Sequence, residues 1–567
     1  MTTTPKQAAS PNEAPRILDA LVIGCGIAGI YQLHKLNQAG LDVRAVDAAE
    51  GIGGTWWWNR YPGARFDSPS YLYGFFASSK LYREWRWSER YAGQPEIEAY
   101  LNNAVREFGL VDLITLNTRV ESMRFDSERA VWTVRTNTGE KVETRFVVPA
   151  LGVLSRPLVP EITGVEKFAG RVHHTARWPK EPVDLSGKRV AVVGVGASGV
   201  QIATEIASEV DELVVFQKSP QWVTPLHNED ISEDEFAQIQ DSYDEYHEQA
   251  MSSFMGFVET YLAAPGDFAT HTSQQRREIF EAVYNMHGFL KVLANYPEVF
   301  AAGEANEAFC AFLAEKIRER VKDPILAEKL IPDHPFISKR PPFDSGSGYY
   351  EIFNLPHVKL VCTPETPIVR ITESGIETTK EHFDLDVIVF ATGFHAITGE
   401  YETIDIEAHG QKLNNKWADG PQTYLGIQTP GFPNMFFVNG PQVPGGNVPR
   451  CAEPGSDLIT DLIVESLKRD ASVVETTTED AKAWTAIVAE SAHGTALGSA
   501  NNWQRGANVP GKKPVPFMLY MGGLNNYVEY LNKSRMSGFE GFLFDGAKAS
   551  TPSSPKSVTD GSLAHHS

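Results

Sequence analysis

Gly24, Gly26 and Gly29 stand in Gly-x-Gly-x-x-Gly spacing behind the apolar run Ala20–Ile23. Glycines so placed permit a tight turn and let backbone N–H groups approach a pyrophosphate. They also bring the following helix close to the strand, with its positive N-terminus toward the anion. Asp47 ends the next apolar stretch, where a carboxylate accepts hydrogen bonds from ribose hydroxyls. The pattern recurs at Gly194, Gly196 and Gly199, with Ser198 inside it. The strand after this second copy ends in Lys218 and Ser219, not in an acid. A cation there suits a 2′-phosphate, so NADP is expected rather than NAD.

Two dinucleotide folds in one chain point to a flavoprotein that takes hydride from a nicotinamide. The electrons then need an acceptor. A disulfide reductase carries a redox cysteine pair after its first fold, but here residues 53–63 read GGTWWWNRYPG, without cysteine. Molecular oxygen is the expected acceptor, and a monooxygenase the expected class. Elsewhere, FAGRVHHTARWP at 168–179 sets His173 beside His174. A histidine acts as a general base only within hydrogen-bond reach of the proton it takes.

These residues need a scaffold that repeats strand, glycine turn, helix, strand. The segments starting at Ile17 and Gly187 both read that way, and FDLDVIVFATGF at 383–394 reads as a buried strand ending in a glycine turn. The expected class is α/β, with two Rossmann-like dinucleotide-binding domains, one for FAD and one for NADP. Residues 16–155 and 384–546 are assigned to the first domain, and 156–227 and 335–383 to the second. Between 228 and 334 glycine and proline thin out and apolar residues take helical spacing, which predicts a helical insertion in the NADP domain. Residues 1–15 and 547–567, rich in Ser, Thr, Pro and Ala, are expected to be disordered.

A chain of 567 residues exceeds what one hydrophobic core supports. A formal net charge of −21 repels phosphate backbones and anionic lipids, which argues against nucleic-acid and membrane partners. No run of about 18 apolar residues suggests a membrane span. The N-terminus has no apolar core of a secretory signal. The four cysteines fit neither a metal site nor a disulfide framework. A cytoplasmic protein with reduced thiols, monomeric or weakly homo-oligomeric, is expected.

The motifs together resemble the type I Baeyer–Villiger monooxygenases. FAGRVHHTARWP fits that family's fingerprint at Phe168, Gly170, His174, Trp178 and Pro179. A second family signature is similar to GGTWWWNRYPGARFD at 53–67, and Ala391, Thr392 and Gly393 match a motif shared with related monooxygenases. The resemblance runs from about residue 16 to 545. It implies that NADPH reduces FAD, that O2 adds to give a C4a-peroxyflavin, and that a ketone passes through a Criegee adduct to an ester or lactone. Sulfide oxidation is a further activity it implies.

The resemblance also implies site residues. Arg340, in SKRPPFDSGSGYY, would be the catalytic arginine, and Asp67 the carboxylate that hydrogen-bonds it. A guanidinium keeps its proton and can hold a developing oxyanion. Lys339 would join Lys218 at the 2′-phosphate. Gly54, Thr55, Trp56, Tyr73 and Ala391–Gly393 would contact cofactor. Trp503, in a stretch similar to the family's loop over NADP, would be a further cofactor or substrate contact. The loop GPQVPGGNVPR, 440–450, is read as widening the substrate pocket through its small residues. His174 is assigned to coupling the two domains, and His173 to nothing specific. Two alternatives stay open: an N- or S-oxygenating flavin-containing monooxygenase, against which Trp178 and Pro179 argue, and a non-catalytic flavoprotein.

Overall fold

The computed structural model describes residues 16–258, 266–346, 348–545 and 547–548. An eight-stranded sheet runs in the order Gln411–Lys412, Asp405–Ala408, Val120–Asp126, Val131–Thr136, Lys141–Pro149, Ile17–Ile23, Val43–Val46, Ile114–Thr115. Its half nearest the first glycine turn is parallel, with Ile23 registered to both Val46 and Pro149. Residues 120–149 form an antiparallel meander beside it. The second sheet is wholly parallel, in the order Val358–Cys362, Glu212–Gln217, Arg189–Val193, Val387–Phe390, Arg171–His174. Its central strands are continuous apolar runs because elements cover both faces. Both sheets belong to the expected α/β class with two Rossmann-like halves.

Two sequence-based assignments need correction. Val387–Phe390, placed by sequence in the first domain, pairs instead inside the second sheet between Arg189–Val193 and Arg171–His174. Four consecutive residues buried on both faces suit that central position. Ala547–Lys548, expected to open a disordered tail, pairs antiparallel with Phe542–Phe544. Asp545, in the left-handed conformation, turns the chain back. The expectations for residues 1–15 and 549–567 fall outside the described residues.

Each glycine turn leads into a helix, Ile27–Gln38 or Ala197–Ile206. Gly24 and Gly194 have φ of +108° and +110°, accessible at low cost only to glycine. The third glycines serve close packing. A Cβ on Gly29 or Gly199 would lie 2.0 Å from the carbonyl oxygen of Gly24 or Gly194. The long helix Val448–Lys468 then braces the first turn from behind. Gln32 Nε2 donates to Thr460 Oγ1 at 3.0 Å and Tyr31 OH to Asp457 at 3.1 Å.

Residues 233–330 carry helices packed around Phe280, Phe309, Phe312 and Tyr296. The chain enters this unit through Thr224–Pro225 and leaves it through Phe343–Asp344, and these two short strands pair with each other. The helical unit therefore hangs from a closed neck, with Arg340 just before its exit strand. Among the described residues, no helix is long and apolar enough to cross a membrane.

The contrast between glycines is testable. Gly199→Ala drives a Cβ into rigid backbone and is expected to cost about 1–3 kcal/mol. Gly196→Ala, whose Cβ meets nothing within 4 Å, is expected to stay within about 0.5 kcal/mol of wild type. Thermal unfolding of both variants checks the ranking, and the reverse order would contradict this packing.

Candidate active site

One cavity of about 1280 Å³ reaches both glycine turns and the Arg340–Asp67 region. Small-ligand pockets usually hold about 300–1,000 Å³. The two turns present the same chemistry to it. Each helix starts at a glycine, Gly26 or Gly196, with no side-chain cap and no acid in its first turn. Their first N–H groups lack intrahelical partners and suit a pyrophosphate. The space beside the Gly196 α-carbon is open, so backbone there can be approached closely. The residues present thus fit two dinucleotides. Among the predicted contacts, Gly54, Thr55, Trp56, Tyr73, Ser198, Ala391, Thr392, Gly393 and Trp503 all line the same cavity.

Asp47 does more than its position predicted. Its oxygens accept from the backbone N–H of Cys25 at 2.6 Å and of Ala49 at 2.8 Å. It ties the glycine turn to the strand end while retaining lone pairs for a ribose. Burial raises its pKa, and those two N–H groups pull the other way.

At the second turn, Lys339 Nζ donates to Ser219 Oγ at 3.0 Å, and exposed Lys218 lines the same wall. Burial lowers the Lys339 pKa; Asp333 opposes that shift, and Lys218 adds to it. Two cations on this wall form a site that an anion would stabilise.

Arg340 Nη2 donates to Asp67 Oδ2 at 2.5 Å. The Arg340 guanidinium also lies 5.7 Å from the centre of the Phe289 ring. Phe289 N donates to the Asp67 carbonyl at 3.2 Å, so this helical-unit residue touches both partners. Asp67 is steadied from its own side: Phe66 stacks on Tyr73 at 4.7 Å, and Trp56 Nε1 donates to the Tyr73 hydroxyl at 3.0 Å. The cavity wall also includes Phe254, Met255, Phe257, Val443, Leu519 and Met521, which makes an apolar chamber.

The glycines of the 440–450 loop do not simply widen that chamber. A Cβ on Gly446 would lie 2.5 Å from the Met255 carbonyl oxygen, and Asn447 N donates to that same oxygen at 2.8 Å. The glycine lets the loop press against the helical unit.

The fixed positions of the fingerprint stretch lie outside the cavity wall. Phe168 packs on the second sheet's core, and a Cβ on Gly170 would lie 2.4 Å from the Asp386 carbonyl oxygen. Trp178 is buried, its N–H donating to the Trp58 carbonyl at 3.3 Å; Pro179 is half-buried beside it. His174 Nδ1 accepts from Ala176 N at 3.0 Å, and Nε2 sits 3.3 Å from Thr392 Oγ1. An accepting Nδ1 places the proton of the neutral ring on Nε2. Neither His173 nor His174 lines the cavity. His173 packs on Trp178 with ring centres 5.0 Å apart.

Several contributors gave no sequence signal. Phe289 is one. Tyr61 OH donates to Gln201 at 2.7 Å, and Gln201 Nε2 donates to the Arg65 carbonyl at 3.0 Å; this ties the second helix to the segment before Asp67. Arg177, at a variable fingerprint position, lines the cavity with its guanidinium 4.4 Å from the Trp58 ring centre.

Residues 19–232 match the family model described as flavin-binding monooxygenase-like. The chain is 39% identical to an acetone monooxygenase (methyl acetate-forming) from Gordonia sp., over 93% of this chain and 98% of that protein. It is 38% identical to phenazine N-monooxygenase PhzNO1 from Lysobacter antibioticus, over 93% of this chain and 96% of the other. The crystal structure of a cyclohexanone monooxygenase from Rhodococcus sp. bound to NADP+ superposes with a TM-score of 0.91 at 36% identity, covering 94% of this chain and 100% of that one.

The bonding of His174 predicts a pH signature. Burial lowers its pKa below the ordinary 6.5, so the unfolded chain takes up a proton first as pH falls. Stability from the neutral ring is complete above about pH 6.5 and is lost as pH drops through the folded-state value. His174→Gln is expected to unfold with a shallower pH dependence below 6.5. An unchanged slope in denaturant titrations at pH 5–7.5 would contradict this.

Proposed function

The chain belongs to the Baeyer–Villiger monooxygenase family, and we propose that it uses FAD, NADPH and O2 to insert one oxygen atom beside the carbonyl of an uncharged, apolar ketone, giving an ester or lactone. The observation that carries this reading is the Arg340–Asp67 ion pair, which shares one cavity with both glycine cradles and an apolar chamber.

We assign FAD to the eight-stranded sheet, with Gly24, Gly26, Gly29, Asp47, Gly54 and Thr55 around its nucleotide half. NADPH goes to the five-stranded sheet, with Gly194, Gly196, Ser198 and Gly199 at its pyrophosphate and Lys218, Ser219 and Lys339 at the 2′-phosphate. FAD, when bound, stores two electrons from NADPH and delivers them to O2. Arg340 orients the ketone oxygen and stabilises the negative charge that grows there, since its guanidinium stays charged throughout. Asp67 aims the guanidinium and offsets part of its charge. The apolar walls select against charged substrates, whose desolvation they would not repay. Phe168, Gly170, His174, Trp178 and Pro179 join the two domains, so they act on turnover through domain geometry rather than on the reacting atoms. Four free cysteines fit a cytoplasmic enzyme, acting as a monomer or weak homo-oligomer.

N-oxygenation is a second reading, favoured by the phenazine N-monooxygenase among the relatives. A panel of ketones, sulfides and aromatic N-heterocycles with FAD-loaded enzyme and NADPH separates the two. Ester or lactone is the expected product; N-oxides alone would reverse the ranking, and hydrogen peroxide alone would end both.

Two substitutions test the assigned roles. Arg340→Ala is expected to keep its flavin and lose ester formation by at least about 100-fold, the scale of removing a preorganised donor at a developing oxyanion; retained yield removes the residue from its role. Lys218→Ala is expected to raise KM for NADPH by about tenfold, as for one lost charge-assisted contact, and to leave KM for NADH unmoved. Equal effects on both cofactors would contradict 2′-phosphate recognition.

A further inference from the structure

Among the described residues, Lys291 is the one lysine that is buried. It is 3% exposed, inside the helical unit, on the short helix Leu290–Leu293. Its Nζ donates to the carbonyl of Tyr284 at 3.1 Å and to the carbonyl of Pro225. Pro225 belongs to the neck ladder, paired with Asp344. The lysine's charge is only partly countered. Burial holds its pKa down to about 7, Asp344 opposes that shift, and Arg320 reinforces it. His227 and the Tyr284 ring also face it, and His287 lies beside His227. An apolar side chain would fill this space with less desolvation cost, so the polar tie itself needs a reason.

The reason lies two residues earlier. Segment 287–291 is wedged between the first domain and the neck. His287 Nδ1 pairs with the His227 carbonyl at 2.7 Å, and Gly288 N donates to the Leu226 carbonyl at 2.9 Å. Gly288 has φ +49°, and a Cβ there would lie 2.5 Å from the Tyr91 ring. Phe289 then reaches Asp67 through its N–H and Arg340 through its ring. Arg340 itself leads into the strand that pairs with the one carrying Pro225. The amine and the guanidinium are thus fastened to the same two-stranded neck.

We propose that Lys291 is a positioning residue for the Arg340–Asp67 couple: by holding segment 287–291 to the neck, it sets Phe289 against both partners. This rests on the catalytic assignment of Arg340 and Asp67. The helical unit thereby supplies a third wall to a site that the two dinucleotide folds would otherwise leave open.

The test uses FAD-loaded Lys291→Met, with Lys291→Gln as the conservative variant that keeps an N–H donor. In Lys291→Met, amide hydrogen exchange at residues 286–292 is expected to rise about tenfold, as for one lost buried hydrogen bond. Flavin content and KM for NADPH should hold, while kcat for ester falls about 10- to 100-fold, the range for a small misplacement of catalytic groups. The missing electrons should appear as hydrogen peroxide. Lys291→Gln should recover most of both signals. Wild-type exchange in Lys291→Met overturns the proposal, and so does faster exchange with an unchanged ester-to-peroxide ratio. If Lys291→Met does not fold, Phe289→Leu takes its place: it keeps the tie and removes the ring, and an unchanged product ratio there is equally fatal. If the wild-type enzyme makes no ester from any ketone, the catalytic reading fails by itself. Exchange at the Asp67-bound amide of Phe289 then decides whether Lys291 fixes the segment.

Discussion

The ion pair between Arg340 and Asp67 joins residues 273 positions apart in the chain, and the rest of the architecture can be understood as what keeps it closed. A guanidinium at a partly covered site needs a partner, or it draws water and swings toward it. Asp67 arrives on the end of the Trp-rich segment that packs on the first glycine turn. Arg340 arrives just before the exit strand of the helical unit. The pair therefore exists only when both domains and the neck are in register. Phe289 adds a contact to each partner from a third direction.

That dependence explains the strictness around the two turns. Gly29 and Gly199 let each helix press on its strand where a single methyl group would meet backbone. Asp47 fastens the first turn, and Gln201 carries the position of the second helix to the segment before Asp67. The fingerprint stretch works similarly. It starts on the edge strand of the second sheet and ends with Trp178 bound to Trp58 of the first domain. Its two histidines lie outside the cavity wall, and His174 spends both ring nitrogens on neighbouring protein groups.

What could be read in the sequence was whatever local rules encode. The glycine spacings specified both turns, and the charge of Lys218 pointed to an anion, whereas Lys339 entered only through the family resemblance. Val387–Phe390 showed itself as a buried strand, but not to which sheet it belongs, because a strand buried on both faces looks the same in either. Phe289 and Gln201 were invisible, since an aromatic or amide side chain gains its role only from a partner far along the chain. The close approach at Gly446 was hidden for the same reason. A small residue signals either open space or close approach, and only the position of Met255 tells which.

In the proposed reaction the Arg340–Asp67 couple decides whether oxygen reaches the substrate or leaves as peroxide. The most direct test is the electron balance of FAD-loaded Asp67→Ala turning over NADPH with a ketone that the wild-type enzyme converts. NADPH consumption is expected to continue, with nearly all electrons recovered as hydrogen peroxide and almost none as ester. Ester recovered in the wild-type proportion would contradict this role.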